Sequence, residues 1–138
     1  MAERRSLPAR REHVTQKVRL ADRRTVYLAT HADASPDELF VQVKGKGRTS
    51  EIIGLYHILA RLASLALQYG APLEQVGEML LGVRFEPAGP VTGHPAIRFC
   101  SSLPDLIGRH LLIECCGRGE LAHTTLGTDG LQSRGVDA

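Results

Sequence analysis

A helix-breaking corner constrains the fold of this chain more than any other feature. Gly70, Ala71 and Pro72 interrupt an otherwise continuous helix-forming segment. Glycine ends a helix readily because it adopts left-handed backbone angles, and proline is favoured in the first turn of the next helix. The sequence therefore predicts two consecutive helices, residues 51–69 and 72–81, joined by a tight, packed corner.

Apolar residues recur every three or four positions in both helices, a spacing that predicts one buried face on each. A third helix is predicted to begin after Ser102, a capping residue, and to end at Gly117. The expected buried residues are Ile52, Leu55, Leu59, Leu62, Ala63, Leu65, Ala66 and Tyr69 in the first helix, Leu73, Val76, Met79 and Leu80 in the second, and Leu106, Ile107, Leu111 and Leu112 in the third.

Three earlier segments have the alternation and β-forming residues typical of strands: residues 12–20, 25–30 and 38–44. Their short connections favour an antiparallel meander. The predicted fold class is α+β, with an antiparallel sheet of about three strands covered on one face by about three helices. Short extended pieces are expected at 83–85 and 97–99, within a loop rich in glycine and proline.

The chain has 138 residues, the size of a single domain. Residues 1–11 form an arginine-rich basic arm, and residues 12–117 are expected to form the single domain. Residues 118–138 are rich in glycine and poor in hydrophobic residues, so we expect a disordered tail.

Several features indicate a cytoplasmic protein. We expect no membrane-spanning segment, because no uninterrupted apolar run of about 18 residues stands out, and the N-terminus lacks the apolar core of a signal peptide. Cys100, Cys115 and Cys116 are odd in number and two are adjacent, so reduced thiols are expected. The net charge of +2 is too small to indicate nucleic-acid binding by itself.

The loop between the third strand and the first helix is the best candidate for a ligand site. Its glycines permit close backbone approach, its basic side chains attract anions, and a helix N-terminus follows. The alternative is a flexible turn with solvated lysines, which is the commoner role of such loops. The candidate phosphate-binding residues are Lys44, Lys46, Gly47, Arg48, Thr49 and Ser50, with Arg84 and Arg98 as further cations, although the two arginines can equally form local ion pairs.

The sequence shows no candidate catalytic residues and implies no cofactor or metal. His57 has no serine and acid partners nearby to form a nucleophilic triad. Cysteine and histidine residues near the C-terminus, including Cys100, His110 and His123, lack the spacing of a zinc site. Cys115 and Cys116 lie at a predicted helix C-terminus, where the helix dipole raises a thiol pKa and disfavours a reactive thiolate.

Several segments resemble the C-terminal accessory region, often described as a TSCPD-type domain, of adenosylcobalamin-dependent (class II) ribonucleotide reductases. They are residues 67–74, residues 5–11 followed by 15–17, the third strand with its Lys44-Gly45 end, residues 84–89 with the Phe-Glu-Pro step, and residues 101–107. The resemblance covers residues 4–117. It implies that the radical barrel, with its catalytic cysteines and cobalamin site, belongs to a part of the family that this sequence lacks. The chain also lacks a cysteine pair after Gly117, so no family catalytic residue maps onto it.

The resemblance predicts a stand-alone, non-catalytic accessory or regulatory domain. Its partner would be a ribonucleotide reductase subunit, another protein or a second copy of the chain. One alternative is a sensor that binds a nucleotide or other phosphate through residues 44–50. Another is nucleic-acid binding through the basic arm, against which the scarcity of aromatic residues counts. An independent enzyme ranks last, because no acid–base pair or activated nucleophile is evident.

Overall fold

The computed structural model describes residues 3–31, 37–45 and 50–123. In chain order its elements are β1 (His13–Arg19), β2 (Thr25–His31), β3 (Leu39–Lys44), α1 (Ser50–Gln68), α2 (Leu73–Leu80), β4 (Gly89–Pro90), β5 (Phe99–Cys100), α3 (Leu103–Cys116) and a 3-10 turn (Gly119–Leu121).

The three long strands form an antiparallel sheet in the order β1-β2-β3. Thr25 of β2 lies opposite Arg19 of β1 and Lys44 of β3. Side chains alternate between the two faces of the sheet. Val26 and Leu28 are therefore fully buried, while Thr25, Tyr27 and Ala29 lie on a partly exposed outer face. The predicted α+β fold with a three-stranded antiparallel meander is confirmed.

α3 is the central helix of the hydrophobic core. Ser102 caps it by accepting a hydrogen bond from the Asp105 N–H at 3.0 Å, and Gly117 ends it in a left-handed conformation. Both predicted ends are confirmed. Four of its apolar side chains are fully buried and share one core with the inner face of the sheet: Leu103, Leu106, Ile107 and Leu111. Leu112 is fully buried as well, on the side that faces Gly77 of α2.

α2 packs tightly against α3 through glycine. A Cβ atom on Gly108 would lie 2.5 Å from the carbonyl oxygen of Gly77, and one on Gly77 would lie 2.8 Å from Cγ of Leu112. The helices can therefore approach only because neither position has a side chain. Met79, which the apolar spacing placed on the buried face, is instead 75% exposed, because the contact runs through Gly77 rather than through the larger residues.

α1 lies along the edge strand β3. The Ser64 hydroxyl accepts a hydrogen bond from the Leu39 N–H at 2.8 Å, which fixes the helix against the strand. Tyr56, Ala60 and Leu67 are buried on this side. The broad buried face predicted for α1 is wrong for four of its residues, since Leu55, Leu62, Leu65 and Tyr69 are exposed. α1 covers the edge of the sheet, and these four side chains lie on its outer flank, where they remain exposed.

The corner between α1 and α2 has the predicted helix stop. Gly70 has a φ of +99°, its N–H donates to the Leu67 carbonyl, and the Ala71 N–H donates to the Ala66 carbonyl. This pair of hydrogen bonds is the Schellman arrangement of a helix end. Gly70 and Pro72 are nevertheless exposed, so backbone hydrogen bonds rather than burial of these residues define the corner.

α1 also meets the length and composition criteria for a membrane-crossing helix, with a mean hydropathy of 1.3 over its most apolar window. No such segment was expected from the sequence. Only 17% of that window is buried in the domain. The helix thus combines the apolar character of a core element with the exposure of a surface element.

The C-terminal end of the domain and the short strands differ from the sequence-based boundaries. The 3-10 turn continues the fold beyond Gly117: Leu121 and Ala122 pack against the core, and the His123 N–H donates to the Ala96 carbonyl at 2.8 Å. Residues 118–123 are therefore not a disordered tail, and residues 124–138 lie outside the described part. The small extended pieces occur at β4 and β5 rather than at 83–85 and 97–99.

Candidate functional site on the outer flank of the long helix

A stripe of large apolar side chains follows the outer flank of α1. Its five residues are between 37% and 61% exposed and recur at alternating spacings of three and four, which places them on one side of the helix. They are Leu55, Ile58, Leu62, Leu65 and Tyr69. We call this set the α1 stripe. Alternating spacings of three and four are those of the seam by which two helices pack in a coiled coil.

The α1 stripe borders a groove of about 980 Å³. Ile58, Leu62 and Leu65 form one wall, and Tyr27 and Phe40, from the outer face of the sheet, form part of the other. Strand alternation explains the second wall, because the neighbours of Phe40 in β3 are buried while Phe40 itself is half exposed. Helix and sheet thus present apolar surface to the same space.

The basic arm is bound to one end of this groove. The Arg5 N–H donates to the Gln68 carbonyl at 2.7 Å, and its guanidinium lies 2.6 Å from the Asp37 carboxylate. Arg4 donates from Nε to Oε1 of Gln68 at 2.6 Å and also lines the groove. Arg11 forms a two-pronged ion pair with Glu38. These arginines therefore have acidic or polar partners within the domain, which leaves fewer positive charges for nucleic acid.

One known family covers most of this architecture. The TSCPD domain family matches residues 3–114, which include the sheet, α1, α2 and most of α3. The chain belongs to the TSCPD domain family.

Curated relatives of this TSCPD domain are vitamin B12-dependent ribonucleotide reductases. The protein of Bradyrhizobium diazoefficiens is 35% identical over 125 residues, covering 89% of this chain and 10% of the relative. That of Agrobacterium fabrum is 37% identical over 123 residues, covering 88% and 9%, and that of Rhodopirellula baltica is 33% identical over 106 residues, covering 76% and 10%. The chain thus spans about a tenth of the length of these relatives. No solved structure shows a significant match.

Glu38 lies between two histidines at the edge of the sheet. Its Oε1 is 3.1 Å from His31 Nε2 and 3.3 Å from His13 Nε2, and the three groups are close enough to hold a metal ion. Arg11 already occupies both carboxylate oxygens and, with the histidines, lowers the Glu38 pKa to about 2. The Arg11 guanidinium lies where a metal ion would bind the carboxylate, and its positive charge opposes metal binding. The cluster is therefore better explained as the contact that holds the basic arm against the sheet than as a metal centre.

A buried histidine pair joins α3, which contains His110, to the loop between β4 and β5, which contains His94. His94 Nδ1 accepts hydrogen bonds from the Ala96 and Ile97 N–H groups at 3.0 and 3.1 Å, so its proton is on Nε2 and is donated to His110 Nδ1 at 2.9 Å. Burial lowers the pKa of His110 to about 4. Glu114 lies close enough to the pair for the three side chains to hold a metal ion. A metal bound to Nε2 of His94 would have to displace the proton there while Nδ1 of His94 still accepts two hydrogen bonds. The pair therefore fits a structural role.

Two thiols of the TSCPD domain, those of Cys100 and Cys116, have raised pKa values that favour the protonated form. Burial, with a contribution from Asp105, raises the pKa of Cys100 to about 11. Burial also raises the pKa of Cys116, with a contribution from Glu74. The direction agrees with the expectation from the helix dipole, but the principal cause is burial.

The residues predicted to bind phosphate do not meet in one cavity of the described structure. The Lys44 ammonium lies 5.6 Å from the centre of the Tyr27 ring, where cation and ring attract each other. Ser50 is the first residue of α1, and Arg84 lines a separate cavity beside Phe99. Arg98 lines neither that cavity nor the groove. Lys46, Gly47, Arg48 and Thr49 lie outside the described residues.

The α1 stripe was not predicted as a functional surface, although its spacing is visible in the sequence. Four of its five residues were predicted to lie in the core, because apolar periodicity identifies a face that avoids water and does not identify what covers that face. Arg24, a buried arginine beside Gly45, was also missed, since arginines are seldom fully buried.

Proposed function

We propose that this TSCPD domain is a non-catalytic accessory or regulatory domain that acts in the cytoplasm by binding another protein, foremost a ribonucleotide reductase subunit. The α1 stripe is the observation that supports this most. Contiguous apolar patches of this kind are rare on monomeric proteins and mark interaction sites. The similarity to one region of the reductases indicates which partner to test first.

The geometry of the groove favours a helical segment as the bound element. Alternating spacings of three and four on α1 match the side-chain spacing of a second helix packed alongside it. Phe40 and Tyr27 on the facing sheet add apolar surface to the other side of the groove. An amphipathic helix laid into an apolar groove is a recurrent mode of protein recognition.

The polar groups of the domain support a non-catalytic role. Glu38 is neutralised by Arg11, His110 accepts a hydrogen bond from His94, and Cys100 is buried with a raised pKa. Each of these groups is explained by a structural contact. Catalytic groups, by contrast, need a pKa matched to proton transfer near neutral pH and access to a substrate.

Sedimentation velocity tests the proposal. The chain is mixed with the Agrobacterium fabrum reductase from which the region matching this chain has been removed. We expect a complex with the wild-type domain and a loss of that complex for Leu62→Gln. Met79→Gln is the matched control, because it removes an exposed apolar side chain away from the α1 stripe. No complex with the wild type, or equal binding by Leu62→Gln, would contradict the proposal.

Lipid vesicles provide a second arm of the test, because α1 meets the criteria for a membrane helix. The proposal predicts that the wild-type domain remains in solution when it is mixed with zwitterionic or anionic vesicles and floated. Flotation that requires Leu62 would show that the stripe binds lipid rather than protein.

A further inference from the structure

The outer face of the sheet has a patch of positive charge. Strand alternation places Lys17 and Arg19 of β1 and Lys44 of β3 on this face, and all three side chains are exposed. Lys17 lies opposite Tyr27, while Arg19 and Lys44 both lie opposite Thr25. The three cations therefore occupy two consecutive cross-strand rows of the sheet. We call these three residues the basic patch.

The basic patch is not neutralised by the part of the domain that the structure describes. Lys17, Arg19 and Lys44 take part in none of the ion pairs between described residues. Glu38, which precedes β3, is held by both prongs of Arg11 and so offers the patch no free charge. Uncompensated cations that lie together attract an anionic partner and orient it as it approaches.

The groove beside the α1 stripe has the same sign of charge. Tyr27, the neighbour of the basic patch, lines this groove, and so do Arg61 of α1 and Arg4 of the arm. Arg61 is exposed, and neither arginine has a carboxylate partner among the described residues. Glu38 is the one carboxylate among the described residues of the lining, and Arg11 already holds it. Apolar walls are thus bordered by positive charge.

We propose that the segment bound in this groove is an acidic amphipathic helix, with its apolar face on the α1 stripe and its carboxylates beside the basic patch and Arg61. This partner chemistry rests on the proposed function, because it describes what occupies the same groove. From Leu55 to Tyr69 the stripe spans about 21 Å at 1.5 Å per residue, so a helix of about four turns covers it. Apolar contact supplies most of the affinity, and the charges select the partner.

The shape of the surface favours a helix over an anionic bilayer or a nucleic acid. The basic patch and the α1 stripe belong to different walls of the groove, whereas a membrane surface requires apolar and basic groups along one helix. Ile58, Leu62 and Leu65 are aliphatic, and aliphatic walls suit apolar side chains better than stacked bases. The Tyr27 ring, moreover, already has the Lys44 ammonium 5.6 Å from its centre.

Two model peptides test the acidic helix directly. Both have leucines at alternating spacings of three and four, and the flanks of this apolar face carry glutamate in one peptide and lysine in the other. By fluorescence anisotropy at low ionic strength, we expect the glutamate peptide to bind at least about tenfold more tightly, because charge complementarity discriminates between partners. Added salt should reduce this preference, since it screens exposed charges.

A double charge reversal locates the preference on the domain. Lys17→Glu combined with Lys44→Glu should abolish the preference for the glutamate peptide. Arg10→Glu combined with Arg84→Glu is the matched control, because it makes the same change in net charge at exposed positions outside the groove, and it should retain the preference. Equal loss in both double variants would attribute the preference to net charge alone and overturn the proposal.

Other outcomes would also overturn the acidic helix. They are failure of the glutamate peptide to bind, equal binding of the two peptides, and tighter binding of an oligothymidylate or of vesicles containing phosphatidylserine. If the glutamate peptide binds as expected and the truncated reductase does not, the reductase is the wrong partner and the acidic helix stands. If the reductase complex requires Leu62 but tolerates reversal of both lysines, the acidic helix is wrong and the proposed function stands.

Discussion

Apolar periodicity has opposite outcomes in two regions of this domain. It leads to close packing where α2 contacts α3, and to an exposed surface on the outer flank of α1. At Gly77 and Gly108 two helices approach so closely that an added Cβ at Gly108 would be 2.5 Å from a backbone oxygen. Along the α1 stripe, large apolar side chains remain between 37% and 61% exposed. Periodicity indicates in both places that a face prefers to leave water. Only the presence or absence of a neighbour separates a core contact from a binding surface.

The largest expected effect comes from Gly108→Ala at the tight contact. The new methyl group meets backbone atoms of α2, which cannot move aside as a flexible side chain would. Overpacking of this kind costs about 1–3 kcal/mol, and we expect the upper end of that range. Chemical denaturation measures the loss.

Gly54→Ala in α1 is the matched control for that variant. A Cβ at Gly54 would have no neighbour within 4 Å, so only helix propensity changes. We expect a gain of up to about 1 kcal/mol in the free energy of unfolding. A loss at both glycines would show that the flank of α1 is as closely packed as the contact between α2 and α3.

Acid should destabilise the core through His110. Its folded pKa of about 4 lies below the ordinary value of 6.5, so the unfolded state binds the proton more readily between these two pH values. The free energy of unfolding should therefore fall by up to about 3 kcal/mol as pH decreases from 6.5 to 4. Denaturation at several pH values measures the slope.

His110→Gln should reduce that slope, and His57→Gln, at an exposed position on α1, should leave it unchanged. Glu38 adds a second phase at lower pH. Because its folded pKa is about 2, below the ordinary 4.5, its contribution is complete above pH 4.5 and is lost as pH falls towards 2. An equal slope in wild type and His110→Gln would rule out the histidine as its source.

Removing the guanidinium of Arg11 should have a more local effect. The Glu38 carboxylate would lose its principal partner, so its pKa should rise from about 2 towards the ordinary range. An NMR titration of the Glu38 side chain in Arg11→Met measures this change. Arg10→Met, at an exposed neighbouring position, should leave the Glu38 pKa where it is.

The smallest effect on stability is expected at the α1 stripe. Leu62→Gln and Met79→Gln both replace exposed side chains, so each should change the free energy of unfolding by less than about 0.5 kcal/mol. Truncation of a buried leucine typically lowers the free energy of unfolding by about 2–5 kcal/mol. A loss in that range for Leu62→Gln would show that Leu62 belongs to the core, and the α1 stripe would then not differ from the contact between α2 and α3.

Local signals in the sequence predicted the elements of this fold well. Ser102 and Gly117 mark the ends of α3 because capping and left-handed geometry depend on one or two residues. The strands likewise follow from alternation. The exposure of Met79 and Leu62 could not be predicted, because it depends on which element lies opposite, a property of the tertiary arrangement.

The candidate sites were less predictable than the fold for the same reason. Glu38 meets Arg11, His13 and His31 only after the arm folds back onto the sheet. In the sequence Arg24 is one of several basic residues in a predicted turn. Its burial depends on the tertiary structure, in which Gly45 packs against it. Sites of this kind are assembled from residues distant in sequence, and no local pattern marks them.

Methyl cross-saturation NMR tests the central claim most directly, because it reports which methyl groups of the domain touch a bound partner. In the complex with the truncated Agrobacterium fabrum reductase, we predict strong attenuation of the methyl signals of Ile58, Leu62 and Leu65. The Met79 methyl, which is more exposed and lies on α2, should be unaffected. Attenuation at Met79 with none along the α1 stripe would contradict the account.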